Sequence, residues 1–216
     1  MNNINLKSLI NILIEATGTT LQVFLLTLIF SIPLALVICG GRMSKFKPLA
    51  VVTNIFLLII RGTPLMLQLI IVYFAPLYIF HAGFDRFTAA IIAIVVNYAA
   101  YFAEIYRGGI QSIPVGQYEA AKILGFSKDQ TFRKIILPQV IKKIMPAMGN
   151  EVITLVKDTA LVQVLGVAEL FHVAKTQGGR LASVIPLFIA GLIYFVLNAI
   201  VSAAFNFAEK KLDYYK

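Results

Sequence analysis

Glu151 and Asp158 stand seven residues apart in the stretch GNEVITLVKDTA, with Thr154 between them. At 3.6 residues per turn, that spacing places all three on one helix face. Two carboxylates and a hydroxyl in a row would hold a cation. Glu151 has no basic residue three or four positions away on its own helix, so a local ion pair does not account for it. Arg61 and Lys157 are the opposing charges. Two readings stand for them: they pair with these acids or with Glu104 to hold helices together, or they face a solute. Glu104, three residues before Arg107, reads as the structural half of such a pair. In RGTP, Arg61 to Pro64, a helix broken around Gly62, Thr63 and Pro64 would expose backbone groups to a small polar ligand, with Gln68 as a side-chain donor and acceptor. Asn97, Tyr98 and Tyr101 could complete the cavity, although such residues also serve interhelical packing and hydrogen bonding. The single cysteine, Cys39, lies in an apolar run, which excludes a disulfide framework and a cysteine metal cluster, and no metal site is expected. His81 and His172 are isolated and carry no assignment.

These polar residues are embedded in a chain that is 59% hydrophobic and 13% charged, with a mean hydropathy of +0.86. A soluble domain of 216 residues needs more polar surface than that, so the chain is expected to be an integral membrane protein. The net charge of +9 is then read through loop placement, not as a sign of nucleic-acid binding. The opening MNNINLKSLI has neither the basic start nor the cleavage site of a secretory signal. A spanning helix needs about 20 apolar residues. Spans are expected at about 16–40, with Pro33 as a kink, at 49–80, bent or broken at RGTP, and at 86–107, 138–166 and 181–208. Arg42, Lys45, Lys47, Arg107, Lys122, Lys128, Arg133, Lys134, Lys142, Lys143, Lys210, Lys211 and Lys216 then fall on one side. Only Lys7, Arg86, Lys175 and Arg180 fall on the other. That bias places the amino end outside and the carboxyl end in the cytoplasm. The fold class is therefore an all-α membrane protein of five transmembrane helices in one domain, residues 1–216. Ile4, Leu6, Leu9, Ile10 and Leu13 suggest a short interfacial helix before the first span. Five helices make only part of a solute pathway, so a dimer, or a heterodimer with a similar chain, is expected.

The cytoplasmic loop 108–137 contains most of the stretch EAAKILGFSKDQTFRKIILPQ. Pro114 can open a first helix, in which Ala120, Ile123 and Leu124 share a face while Glu119 and Lys122 have i,i+3 spacing. Gly125 stops it in the left-handed role. Ser127 with Gln130 forms a capping box that starts a second helix running to Pro138. The result is a rigid helix-glycine-helix element whose apolar stripe calls for a partner.

Here the residues resemble a known family. EAA, three residues, Gly, a spacer and ILPQ are similar to the EAA loop of ABC importer permeases. RGTPLMLQ, AEIYRGGIQSIPVGQYEAA and LVKDTALVQVLGVAEL resemble the polar amino-acid uptake branch. The family pattern reads KDTS where this chain has KDTA, so Ala160 lacks that hydroxyl. The resemblance implies an ABC type I importer permease fold in the bacterial cytoplasmic membrane. It implies that Glu119, Ala120, Ala121, Lys122, Leu124 and Gly125 form a coupling helix docking on a separate ATPase dimer. Further partners would be a second permease chain, as a homodimer, an extracytoplasmic solute-binding protein and an amino-acid substrate. The two acids point to a cationic one, arginine, lysine or histidine. No GxxxxGK[ST] phosphate loop occurs in the chain, so ATP and its magnesium belong to the partner and the chain is not itself an enzyme. An ion-coupled carrier or channel subunit, using Glu151 and Asp158 as ion sites, is the competing class. A self-contained carrier has no need of a docking loop. A purely structural scaffold leaves the acidic stripe unexplained.

Overall fold

The computed structural model describes residues 6–212, so the expectations resting on Ile4 and Lys216 lie outside the described residues. Among the described residues the chain is helical, without strands. Helix α1 (Leu6–Arg42) is a single rod that continues through Pro33. Its buried positions, Leu9, Leu13, Ala16, Thr20, Val23, Thr27, Ser31, Ala35 and Cys39, recur every three or four residues, and most are small. Small side chains let helix backbones approach closely in a membrane, where lipid gives no hydrophobic drive for association. Helix α4 (Arg86–Gln111) answers with Ala89, Ala90, Ala93, Ala99, Ala100 and Ala103, and the two pack along their lengths. Among the described residues no separate interfacial helix precedes α1. Leu9 and Leu13 belong to the first turns of α1 and are buried against Leu170, Ala174 and Ala190.

Helices α2 (Lys47–Gly62) and α3 (Leu65–Phe80) meet at a 111° bend at Thr63 and Pro64. Proline withholds its N–H and biases the preceding residue to extended backbone, as Thr63 shows with ψ of 147°. After α4, α5 (Val115–Ile123) turns through Gly125 into α6 (Lys128–Gln130). From there a π-helical turn (Thr131–Ile136), α7 (Leu137–Asp158) and a 3-10 stretch (Thr159–Leu165) run on without interruption. The second loop helix therefore does not end at Pro138. Proline cannot donate to the carbonyl four residues back, and the wider π turn just before it absorbs that lost bond. The chain closes with α8 (Leu170–Leu181) and α9 (Ile185–Leu212).

Three helices, α1, α4 and α9, are long and apolar enough to cross a membrane, and the bent α2–α3 pair would make a fourth. Helix α7 has the length, since 22 residues rise roughly 33 Å, but its charges lower its hydropathy. Side-chain contacts order the ends. Arg42, closing α1, lies 3.7 Å from Glu104 near the end of α4, so α1 and α4 run parallel. The α2–α3 pair starts beside that end and finishes where α4 begins. Helix α7 crosses α4 near Gly109, where Ile144 leaves no room for a β-carbon, and it reaches Tyr98 at Asp158. Gly166, just past the 3-10 stretch, lies against the Arg86 guanidinium. Helix α9 returns from Ala190, beside Leu9, to Phe205, packed on Gly149.

Candidate functional site

The break between α2 and α3 is held by Gln68. Its Nε2 donates to the Ile60 carbonyl at 2.7 Å, to Thr63 Oγ1 at 2.9 Å and to the Thr63 carbonyl at 3.1 Å. Its Oε1 accepts from Asn97 Nδ2 at 2.9 Å, which ties the break to α4. The last carbonyls of a helix have no intrahelical partner, and inside a bilayer no water replaces it. Thr63 Oγ1 adds a bond to the Ile59 carbonyl at 2.8 Å. Gln68, Thr63 and Asn97 are thus engaged in closing the break.

One and a half turns of α4 carry the remaining intramembrane groups in order. Tyr98, itself buried, donates its hydroxyl to Asp158 Oδ2 at 2.8 Å. Tyr101 comes one turn later, with the Arg61 guanidinium 5.4 Å from its ring centroid, a cation–π contact. Glu104 follows, gripped by both nitrogens of the Arg107 fork at 2.9 and 2.7 Å. Arg61 at 3.5 Å and Arg42 at 3.7 Å complete a network of three arginines around one carboxylate. Arg42 and Arg61 each stand in the last turn of a helix, where the backbone dipole favours cations. Glu151 is partly buried on α7, and Asp158 and Arg61 act on it electrostatically. Thr154 donates to the Asn150 carbonyl at 3.0 Å. Lys157 is exposed and interacts through space with Asp158, and no ion pair joins them among the described residues. Asp158 is therefore brought to Tyr98 and Arg61 to Tyr101, while Lys157 is exposed.

At the Arg107 end, α5 closes in a Schellman turn. Phe126 N–H donates to the Ala121 carbonyl at 3.0 Å and Gly125 N–H to the Lys122 carbonyl at 3.1 Å, with Gly125 at φ of 78°. Ser127 and Gln130 form the capping box at 3.2 and 2.9 Å. The elbow is anchored to the bundle by Gln139, which donates to Gln117 at 3.3 Å, and by Lys143, which donates to the Ser112 carbonyl at 2.7 Å. Its outward face is apolar, with Ile123 86% and Leu124 72% exposed. Glu119, Ala120, Lys122 and Gly125 are exposed beside them, but Ala121 is 1% exposed and packs inward, so it shapes the elbow without presenting a surface. A rigid, anchored element with a bare apolar face has the form of a docking surface.

Residues 28–214 match the family described as binding-protein-dependent transport system inner membrane component. The chain belongs to that family. This transport component is 38% identical over 201 residues to the arginine transport system permease protein ArtQ of Bacillus subtilis, covering 93% of this chain and 92% of ArtQ. It is 38% identical over 199 residues to the L-cystine transport system permease protein TcyB of the same organism, covering 91% and 84%. It is 34% identical to the putative glutamine transport system permease protein GlnP of Rickettsia felis, covering 93% and 92%. Among solved structures, an amino acid ABC transporter crystallised with histidines matches at a TM-score of 0.89 and 34% identity, over 98% of this chain and 99% of that one. The inward-facing MetNI methionine transporter, at 0.73 and 19%, shares the fold.

Two charged positions of this transport component that tie helices together had little signal in the sequence. Arg42 joins the Glu104 network from 62 residues away, which no local spacing reveals. Glu169, fully buried, caps α8 by accepting from Phe171 N–H and His172 N–H, both at 2.7 Å, and takes the Tyr194 hydroxyl at 2.8 Å. An acid just ahead of a helix was the available hint.

Proposed function

We propose that the chain is the membrane-spanning permease subunit of an ATP-driven amino-acid importer, and that it passes cationic substrates, arginine, lysine or histidine, by alternating access. The exposed apolar face of Ile123 and Leu124 on an anchored elbow carries this reading, because a chain with its own motor or ion coupling has no use for it. The order of helix ends supports five crossings. Helix α1, the α2–α3 pair, α4, α7 with its 3-10 extension, and α9 each connect the Asp85 end to the Arg107 end, alternating in direction. The elbow and Arg42, Arg107, Lys210 and Lys211 share one end, which the positive-inside rule makes cytoplasmic, leaving the amino end outside. The partners are then an ATPase dimer that carries ATP and magnesium, an extracytoplasmic binding protein and a second copy of this chain, in the bacterial inner membrane.

The cationic preference rests on Glu151 and Asp158, two acids of α7, of which Asp158 accepts from the Tyr98 hydroxyl inside the bundle. The arginine, cystine and glutamine systems of the relatives define the panel of substrates to try. In proteoliposomes holding the complete importer, arginine or lysine uptake is expected to exceed glutamine and cystine uptake. Glu151→Gln is expected to lower cationic uptake at least tenfold while basal ATPase activity stays within twofold. Equal losses in both activities overturn the assignment of Glu151.

A further inference from the structure

Lys134, Pro138, Lys142 and Pro146 follow one another at intervals of four residues where the elbow runs into α7. That interval is close to one helical turn, so they form a stripe in which lysine and proline alternate. The stripe borders a cavity of about 820 Å³, to which Ile135 adds further apolar surface. One wall is fixed by Gln139, whose Nε2 donates to the Gln117 side chain at 3.3 Å and to the Ile135 carbonyl at 2.8 Å. Lys143 also borders the cavity, with its ammonium donating to the Ser112 carbonyl at 2.7 Å. Three lysines thus line this cleft, and no acidic residue does among the described residues. Lys134 is exposed and makes no ion pair there. Further along α7, Phe205 of α9 packs on Gly149, so the stripe leads from the elbow into the bundle.

We propose that this cleft binds one anionic phospholipid of the cytoplasmic leaflet, with its phosphate held by Lys134 and Lys142 and its acyl chains lying against Ile135, Pro138 and Pro146. This rests on the reading above that the elbow end of the molecule is cytoplasmic. Eight residues of helix rise about 12 Å, a gap that two lysine side chains reaching toward each other can close around one phosphate. Lysine binds phosphate as a point charge, and its apolar stem lies along a hydrophobic wall while the ammonium stays at headgroup level. A basic pocket beside a spanning helix at the cytoplasmic face has the chemistry that anionic headgroups require. A free phosphate would leave the proline stripe bare, whereas a lipid covers both halves of the cleft.

The test is native mass spectrometry of the purified, delipidated complete importer in detergent, titrated with phosphatidylglycerol or with phosphatidylcholine of the same acyl chains. The parent is expected to bind phosphatidylglycerol more tightly. Replacing both lysines, Lys134→Gln with Lys142→Gln, is expected to weaken the tightest phosphatidylglycerol binding roughly tenfold and to leave phosphatidylcholine binding unchanged. Lys45→Gln with Lys47→Gln removes the same charge from exposed positions outside the cleft and should bind like the parent. Lys134→Gln alone is expected to weaken phosphatidylglycerol binding severalfold, and it serves if the double variant does not assemble. Equal losses in the two double variants would reduce the attraction to net charge and overturn the proposal. Unchanged lipid binding with loss of the ATPase from the Lys134→Gln, Lys142→Gln importer would make the cleft a protein contact and overturn it as well. Binding in detergent is read whichever way the chain faces, so a failed lipid test leaves the orientation standing, and labelling of cysteines from outside the cell decides the orientation separately.

Discussion

At the scale of single residues, polar groups divide by whether their hydrogen bonds are already used. Gln68 and Thr63 were read as ligands for a solute, yet Gln68 closes the α2–α3 break and reaches Asn97. A buried donor or acceptor left unpaired costs about 1–3 kcal/mol. Gln68→Leu strands the Ile60 carbonyl and the Asn97 amide together. The purified variant is expected to unfold several degrees below the parent, and Asn97→Leu in the same chain should restore part of the loss. A Gln68→Leu chain that melts with the parent but loses transport would instead make Gln68 a substrate contact. Glu151 shows the opposite pattern: it is partly buried on α7, and among the described residues no hydrogen bond or ion pair engages its carboxylate. Sequence spacing identified both as intramembrane polar residues. It could not separate them, because the partners of Gln68 lie on α2 and α4 and are met only after folding.

At the scale of elements, the elbow was legible almost to the residue. Pro114, Gly125, Ser127 and Gln130 act on backbone groups within a few positions, so local chemistry decides where the helices start and stop. The exception is Pro138, which did not end its helix, because a π turn upstream accommodates it. Ala121 is a second departure, since only packing against the following turn shows that its methyl group faces inward. The exposed face makes a sharp prediction. Leu124→Asp places a charge on a side chain that touches little of its own chain, so thermal stability is expected to stay within a degree or two of the parent. Co-purification of the ATPase should be lost. Retained co-purification would place the docking contact elsewhere.

At the scale of the whole molecule, the helix ends are ordered by packing: α1, α3 and α7 lie against α4, and α9 lies against α1 and α7. Helix α7, the proposed fourth crossing, falls outside the helices that hydropathy selects, since Glu151, Lys157 and Asp158 sit within or at the end of it. Topology can be read with a membrane-impermeant maleimide in cells carrying Cys39→Ala. Lys7→Cys should label from outside, and Lys211→Cys only after the membrane is opened; both positions are exposed. The reverse pattern would invert the molecule and move the elbow away from any cytoplasmic motor.

By itself, the sequence determined that this chain lives in a membrane, where the elbow breaks, and which acids share a helix face. Those properties depend on composition and on residues within a turn or two of each other. The tertiary structure alone decided that Arg42, Arg61 and Arg107 converge on Glu104, that Asp158 meets Tyr98, and that Gln68 bonds across the α2–α3 break to Asn97. Ion pairs and hydrogen bonds act over only a few ångströms, and these partners lie as much as 62 residues apart, brought within range by the close packing of small side chains along α1 and α4.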